Sequence, residues 1–156
     1  MFLKYLPILA KKSAPKPPRE LRPITKPAWH PLSRPLSEAR VALITSGAIR
    51  ERSQTPFPPL GDASYRPISP DPAFTDLQID HRTRFGVPAR QDPEVAFPRL
   101  ALQTLAEQGQ IGGVAEYHYS IYGGIRDYDG IEDCLAPVLA KQLAEGGADL
   151  AVFLPF

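Results

Sequence analysis

The stretch that decides the fold is Arg40–Thr45, which reads RVALIT and leads directly into Ser46 and Gly47. Short apolar runs with β-branched residues, ended by a turn signal, are typical of strands buried on both faces of a parallel sheet. A glycine at the carboxyl end of such a strand lets a ligand approach the backbone closely. No G-x-G-x-x-G pattern follows, so the sequence lacks a dinucleotide-binding fingerprint.

The rest of the sequence alternates further strands with helices. Apolar spacing predicts a helix from Pro98 to about Gly109 and a last helix over Gly130–Glu145, which Pro137 kinks or shortens. The alternation predicts an α/β fold with a mostly parallel, Rossmann- or flavodoxin-like sheet, and an incomplete sheet is one alternative. We expect Ala148–Leu154 to be a buried inner strand of this sheet. Shorter strands are predicted at Ser64–Ser69, Asp76–Asp80, Ile111–Val114 and Tyr117–Tyr122.

The N-terminal quarter has a different composition from the rest. We divide the chain into an extended, proline-rich basic arm over residues 1–38 and an α/β domain over residues 39–156, which we expect to be truncated at its C-terminal end. Residues 1–40 carry nine Lys/Arg and two acids, a net charge of +7, whereas the remaining residues carry nine and fifteen, a net charge of −6. The first twelve residues, MFLKYLPILAKK, are too short to span a bilayer, and the alternatives are a frayed or packed terminus and contact with a membrane surface.

Composition excludes several classes of protein and site. A single cysteine, Cys134, excludes an intramolecular disulfide and a cysteine-rich metal site, and it points to a cytoplasmic location. The three histidines lack metal-ligand spacing, so no metal site is predicted. We expect no nucleic-acid binding, because the arm has no interleaved aromatic residues and the acidic domain repels phosphate. Cys134 itself is predicted to be a buried helix residue that acts as a small hydrophobe.

Ligands of open α/β sheets bind at the carboxyl ends of the strands. Ser46 and Gly47 lie at one predicted end and are candidates for substrate binding. His81 lies at another and is the candidate catalytic residue, since it can orient a substrate carboxylate or move a proton. The alternative for His81 is a loop histidine that is hydrogen-bonded to the backbone.

Three further residues are candidates for substrate binding. His118 either lines the cleft or has a structural role. Tyr65 and Arg66 can present a cation to a substrate carboxylate, or Arg66 can pair with Asp62 or another local acid. The chain contains no obvious nucleophile.

Several short motifs follow one another along the sequence: Trp29–Leu32, Pro35–Thr45, Gly61–Arg66, Asp80-His81, Phe97-Pro98, Ile111-Gly112, His118–Ser120 and Gly147–Asp149. Their ordered spacing resembles that of the glycine/sarcosine/betaine and D-proline reductase selenoprotein B family. The resemblance runs from about Trp29 to the last residue. It implies a selenol- or thiol-dependent subunit of a reductase that cleaves a C–N bond in a small amine or amino acid, with a partner subunit that carries a pyruvoyl group.

In the family that the sequence resembles, the strand matching Ala148–Leu154 leads into a redox motif with selenocysteine or cysteine. The resemblance therefore implies a redox residue beyond Phe156 and a chain that is inactive alone. Three explanations for the end of the sequence at Phe156 stay open: a selenocysteine codon read as a stop, a deliberately shortened chain, and a natural short paralogue. The alternative function is a non-catalytic α/β module that binds a partner or a small ligand. The partner is a pyruvoyl-containing subunit or a second copy of the chain.

Overall fold

A computed structural model describes residues 29–59, 62–81, 86–125 and 128–156 of the chain. The chain divides into two compact units, residues 1–31 and residues 32–156. The first twelve residues lie outside the described residues, so the arm over residues 1–38 and its membrane contact stay predictions. All elements below belong to the second unit. Within the described ranges, no helix is both long and apolar enough to cross a membrane.

The main sheet is built around β1 (Arg40–Thr45) and is mostly parallel, which confirms the predicted α/β fold. β7 (Leu150–Leu154) runs parallel to β1 along almost its whole length. On the other side of β1 lie two short parallel strands, β5 (Gly113–Val114) and β6 (His118–Ile121). β3 (Tyr65–Ile68) pairs antiparallel with β6, which makes the sheet mixed.

In the described part of the chain, three α-helices of six or more residues accompany the main sheet. They are α1 (Gly86–Gln91), α2 (Arg99–Glu107) and α3 (Ala136–Glu145). Side chains of β1 alternate between two apolar clusters, as expected for a strand covered on both faces. Val41 and Leu43 belong to the cluster that contains Leu102 of α2. Ile44 belongs to the cluster that contains Leu139 of α3. The helices therefore form one layer on each face of the sheet.

The connections between strands run in one direction along the sheet after β1 and in the opposite direction after β6, so that β6 and β7 lie on opposite sides of β1. α1 and α2 lie between β1 and β5 in the chain, whereas α3 lies between β6 and β7 and packs on the other face. The spatial order is therefore β6, β1, β7. In open α/β sheets, the carboxyl ends of strands at such a reversal border the crevice where ligands bind. The topology thus points to the residues that follow Thr45 and Leu154.

A side chain bridges the break between β5 and β6. In a regular ladder the N–H of Leu43 would donate to a carbonyl of the neighbouring strand. Here Leu43 N donates to Nδ1 of His118 at 3.2 Å. His118 is fully buried, and its ring packs edge-to-face against Phe97. The imidazole therefore completes the strand pairing where residues 115–117 interrupt it.

A second, two-stranded sheet contains the segment before His81. β2 (Ile49–Glu51) and β4 (Leu77–Ile79) pair antiparallel with each other. The predicted strand at Asp76–Asp80 therefore exists, but it pairs outside the main sheet. Its partner β2 was not predicted, because three residues of mixed polarity carry no periodic signal.

The last helix opens with a wider turn. An α-helical turn at Tyr128–Gly130 leads into a π-helical turn at Ile131–Leu135, and α3 follows with Pro137 in its first turn. Proline is tolerated in a first turn, because an N–H at that position has no acceptor within the helix and none is lost when proline lacks it. The predicted burial of Cys134 is wrong, since this residue is exposed. The π turn changes the angular spacing of the side chains, so a face drawn with 3.6-residue periodicity does not hold across it.

The prediction that Ala148–Leu154 contains an inner strand is also wrong. Among the described residues, β7 pairs with β1 alone and forms an edge of the sheet. Its apolar side chains are correspondingly open, and Phe153 is 59% exposed. An apolar run indicates a strand that can be buried, but only neighbours on both sides bury it.

Candidate functional site

Ser46 joins the carboxyl ends of β1 and β7. Its N–H donates to the carbonyl of Leu154 at 3.1 Å. Its Oγ accepts a hydrogen bond from Phe156 N at 2.8 Å, and the hydroxyl faces Phe156 O at 3.4 Å as a donor. Ser46 was predicted to bind substrate, and the structure shows its hydroxyl engaged with the main chain of Phe156. These bonds fix the residues after β7 at the edge of the sheet.

Glycines allow the loops after β1 and β6 to approach each other at this edge. Gly123 N donates to Ser46 O at 2.8 Å. A Cβ on Gly123 would lie 3.0 Å from Ser46 O and 3.2 Å from Phe156 O, closer than ordinary contact. Gly47 forms an isolated bridge with Tyr122, and a Cβ on Gly47 would contact the ring of Phe156 at 3.5 Å. A close approach of a ligand to the backbone was predicted at Gly47, and the structure shows Phe156 of the same chain there.

His81 reaches the same edge from the second sheet. Asp80 N donates to Ala48 O at 3.0 Å and ties the end of β4 to the loop after β1. The imidazole of His81 stacks on Tyr122, with ring centroids 5.6 Å apart, and meets Phe156 edge-to-face at 6.0 Å. These contacts bring His81 beside the residues that follow β1, β6 and β7.

Burial and a neighbouring cation set the charge of His81. The residue is buried, and Arg90 Nη1 donates to its carbonyl oxygen at 2.8 Å. Gly86 leaves room for this contact, since a Cβ there would lie 2.9 Å from the same oxygen. Burial, and second the charge of Arg90, lower the pKa of His81 below 6.5. The imidazole is therefore neutral at neutral pH and can take up a proton.

An ion pair holds the residue that precedes His81. Arg50 Nε donates to Asp80 Oδ2 at 2.9 Å, and the same oxygen accepts from Phe57 N at 2.8 Å. Arg50 is itself buried. Its Nη1 donates to the carbonyls of Glu51, Arg52 and Gln54. These hydrogen bonds connect the loop after β2 to Asp80, the residue that precedes His81.

Two other predicted substrate-binding residues, Tyr65 and Arg66, lie on β3. Tyr65 packs edge-to-face on Tyr119. The guanidinium of Arg66 lies 4.3 Å from the ring centroid of Phe57, a cation–π contact. Its hydrogen bonds go to the carbonyls of Thr55, Pro56 and Tyr65 and to the Ser64 hydroxyl. The observed contacts of Arg66 are therefore those of a side chain that holds a loop.

His118, the remaining predicted substrate-binding residue, lies inside the sheet. Burial, and second the charge of Arg99, lower the pKa of His118 from 6.5 to about 4. Neutral imidazole is the form that can accept the hydrogen bond from Leu43 N through Nδ1. The observed role of His118 is thus to join two strands.

Sequence reasoning missed several residues of this edge. Tyr122 ends a predicted strand and Gly123 follows it, but neither was a predicted site residue. Arg90 lies on α1, in a stretch predicted to be a loop, and only the fold brings it to His81. Phe156 supplies both a ring and backbone groups that no motif marks. We define the edge cluster as Ser46, Gly47, His81, Arg90, Tyr122, Gly123 and Phe156.

The edge cluster combines a neutral imidazole, two aromatic rings and an arginine. The imidazole can take up a proton, and the rings shield it from water. The side chain of Arg90 is largely exposed, so the rest of its guanidinium can attract an anion from solution. The arrangement suits a small ligand that carries a carboxylate.

One curated protein that the chain resembles is named D-proline reductase subunit gamma, from Acetoanaerobium sticklandii. The two are 30% identical over 128 residues, which cover 81% of this chain and 53% of the relative. The chain thus spans about half the length of the curated relative that it matches. No protein-family model matches the chain, and no solved structure matches it significantly. The comparison supports the resemblance to a reductase family.

Proposed function

We propose that this chain is the α/β part of a reductase subunit of the D-proline and glycine reductase type, which takes part in reductive cleavage of a C–N bond in a small amino acid or amine. The observation that carries the proposal is the 30% identity with D-proline reductase subunit gamma over 81% of this chain. The selenoprotein B subfamily and a cytoplasmic location belong to the same proposal.

In this proposal, the edge cluster binds the substrate and moves a proton. Arg90 attracts the substrate carboxylate, and the rings of Tyr122 and Phe156 flank the imidazole of His81. Because its pKa lies below 6.5, His81 is neutral at pH 7 and takes up a proton during the reaction. Arg50 acts through Asp80, which holds the chain at His81.

The family resemblance also implies a redox group beyond Phe156 and a pyruvoyl group on a partner subunit. A thiol or selenol fits the position after Phe156, because Ser46 fixes the Phe156 backbone and the neutral imidazole of His81 lies beside its ring. Such a group supplies a nucleophilic anion when it is ionised. A neutral imidazole nearby can accept its proton. No residue of this chain is assigned to the pyruvoyl group.

A chimera tests the proposal. This chain replaces the matched part of D-proline reductase subunit gamma, and D-proline-dependent dithiol oxidation is measured together with the other subunits of that enzyme. We expect turnover, and His81→Gln should lower kcat/KM by about tenfold or more, as loss of a general base does. His30→Gln is the control, because His30 is exposed and, among the described residues, its side chain forms a hydrogen bond with the neighbouring carbonyl of Pro31.

Two results would overturn the proposal. The first is a folded chimera that neither turns over D-proline nor binds it in equilibrium dialysis. Equal effects of His81→Gln and His30→Gln would remove the role given to the edge cluster. Binding of D-proline without turnover would favour the alternative, a non-catalytic module that binds a small ligand.

A further inference from the structure

An apolar groove lies along α2 and the turn before it, and none of its lining residues belongs to the edge cluster. It consists of two adjoining depressions of about 470 and 420 Å³, which share Glu94 and Leu100. Val95 and Leu100 in the groove are each 59% exposed. Exposed aliphatic side chains that cluster in a concavity mark interaction sites more often than single exposed ones do. The other lining residues are Asp71, Pro72, Ala73, Asp92, Pro98, Ala101, Gln103 and Thr104.

Buried hydrogen bonds hold the walls of this groove in place. Arg99 is almost fully buried, and its guanidinium donates to the carbonyls of Asp71 and Phe74 at 2.8 and 3.0 Å. Its Nε donates to Glu94 Oε1 at 3.2 Å, while Glu94 Oε2 accepts from Leu100 N at 2.8 Å. The loop that contains Asp71 is therefore tied to the start of α2. A preformed groove loses little conformational entropy when it binds a partner.

Two exposed carboxylates flank the apolar floor. Asp71 Oδ1 accepts from Ala73 N at 2.8 Å, and Asp92 Oδ1 accepts from Glu94 N at 3.0 Å. These bonds fix the orientation of each carboxylate through one oxygen. In the part of the chain that the structure describes, no ion pair includes Asp71 or Asp92. The rim therefore presents negative charge that a partner can neutralise.

We propose that this groove docks a segment of another polypeptide that carries aliphatic side chains flanked by lysine or arginine. The aliphatic side chains of the partner would cover Val95 and Leu100, and its cations would pair with Asp71 and Asp92. The acidic rim disfavours nucleic acids and anionic membranes, since it repels phosphate. The groove lies outside the edge cluster, so the proposal stands or falls independently of the reductase function.

A peptide titration tests the docking. The probe is the synthetic, fluorescein-labelled peptide acetyl-KLAKLLKLAKK-amide, and the matched peptide has glutamate in place of every lysine. Fluorescence anisotropy with the full chain measures Kd at low and high salt. We expect saturable binding of the basic peptide alone, weakened by salt, because exposed charges are screened at high ionic strength.

Groove variants locate the binding. Leu100→Glu, and separately Asp71→Lys combined with Asp92→Lys, should each raise Kd about tenfold, the size of effect expected at a central contact. Val95→Glu is a second apolar variant in case Leu100→Glu lowers stability. Val138→Glu is the matched control, because Val138 is 45% exposed on α3, outside the groove. Equal weakening by the control, equal binding of the acidic peptide, or no saturable binding by the wild-type chain would overturn the proposal.

Discussion

Replacing His118 with asparagine separates the hydrogen bond that this side chain accepts from its ability to titrate. The amide oxygen of asparagine can accept a hydrogen bond from Leu43 N but does not gain a proton near neutral pH. A protonated imidazole carries N–H on both nitrogens, so it cannot accept this bond. Acid should therefore break the link between β1 and β6 in the wild-type chain and leave it intact in His118→Asn.

The size of the effect follows from the pKa. Burial, and second the charge of Arg99, lower the pKa of His118 from 6.5 to about 4. Because the folded pKa is depressed, the unfolded chain takes up this proton first as the pH falls. The contribution to stability is complete above about pH 6.5, decreases between pH 6.5 and pH 4, and is constant below. The interval corresponds to roughly 3 kcal/mol of unfolding free energy at about 1.4 kcal/mol per pKa unit.

Urea denaturation at several pH values from about 7.5 to about 4.5 measures the effect. The free energy of unfolding of the wild-type chain should fall by about 2.5 kcal/mol more over this interval than that of His118→Asn. Contributions of other titrating groups cancel in the comparison. His30→Asn is the matched control, because it makes the same substitution at an exposed histidine.

Parallel pH profiles for the wild-type chain and His118→Asn would refute this reasoning. If the variant does not fold, an NMR titration of His118 in the wild-type chain decides the matter. A folded-state pKa of 6.5 or higher would show that burial does not hold the imidazole neutral.

Two other substitutions test packing at the main sheet. Gly112→Ala should lower the free energy of unfolding by about 3 kcal/mol in urea titrations, because its Cβ would overlap the carbonyl group of Glu38. Gly109 has a φ of +69° but open space around it, so Gly109→Ala should lower the free energy of unfolding by only about 1 kcal/mol. A loss at Gly109 equal to or larger than the loss at Gly112 would contradict the steric argument. Ser46→Ala should speed hydrogen exchange of the Phe156 amide by about fivefold, since one hydrogen bond contributes about 1 kcal/mol. Unchanged exchange, or the same increase in the exposed Ser53→Ala control, would mean that Ser46 does not hold Phe156.

Local patterns in the sequence identified the strands and helices that bury a regular apolar face. Arg40–Thr45 was predicted as a strand with the bounds observed, and the helix predicted from Pro98 appears at Arg99–Glu107. Both signals depend on side-chain spacing within one element. The position of Ala148–Leu154 in the sheet was predicted incorrectly, since pairing depends on residues far away in the chain.

The edge cluster could be predicted only in part, for the same reason. The rule that ligands bind at strand ends identified Ser46, Gly47 and His81, because these residues follow predicted strands. The contact of Arg90 with His81 depends on how α1 packs, and nothing local marks it. Conversely, Arg66 has the chemistry of an anion-binding residue, but its guanidinium donates to the main-chain carbonyls of Thr55 and Pro56 in a neighbouring loop. Residue type alone does not distinguish these two arginines.

The pairing of β1 with β7 has a consequence for synthesis on the ribosome. The backbone N–H of Arg40 bonds to the side chain of Asp149, 109 residues later. At roughly 5–20 residues per second, translation leaves one side of β1 without its partner for about 5–20 s. During that time the apolar strand RVALIT presents an open edge, which is the kind of surface that chaperones bind and that pairs wrongly with other chains. The rate of elongation through the second half of the domain should therefore influence the yield of folded protein.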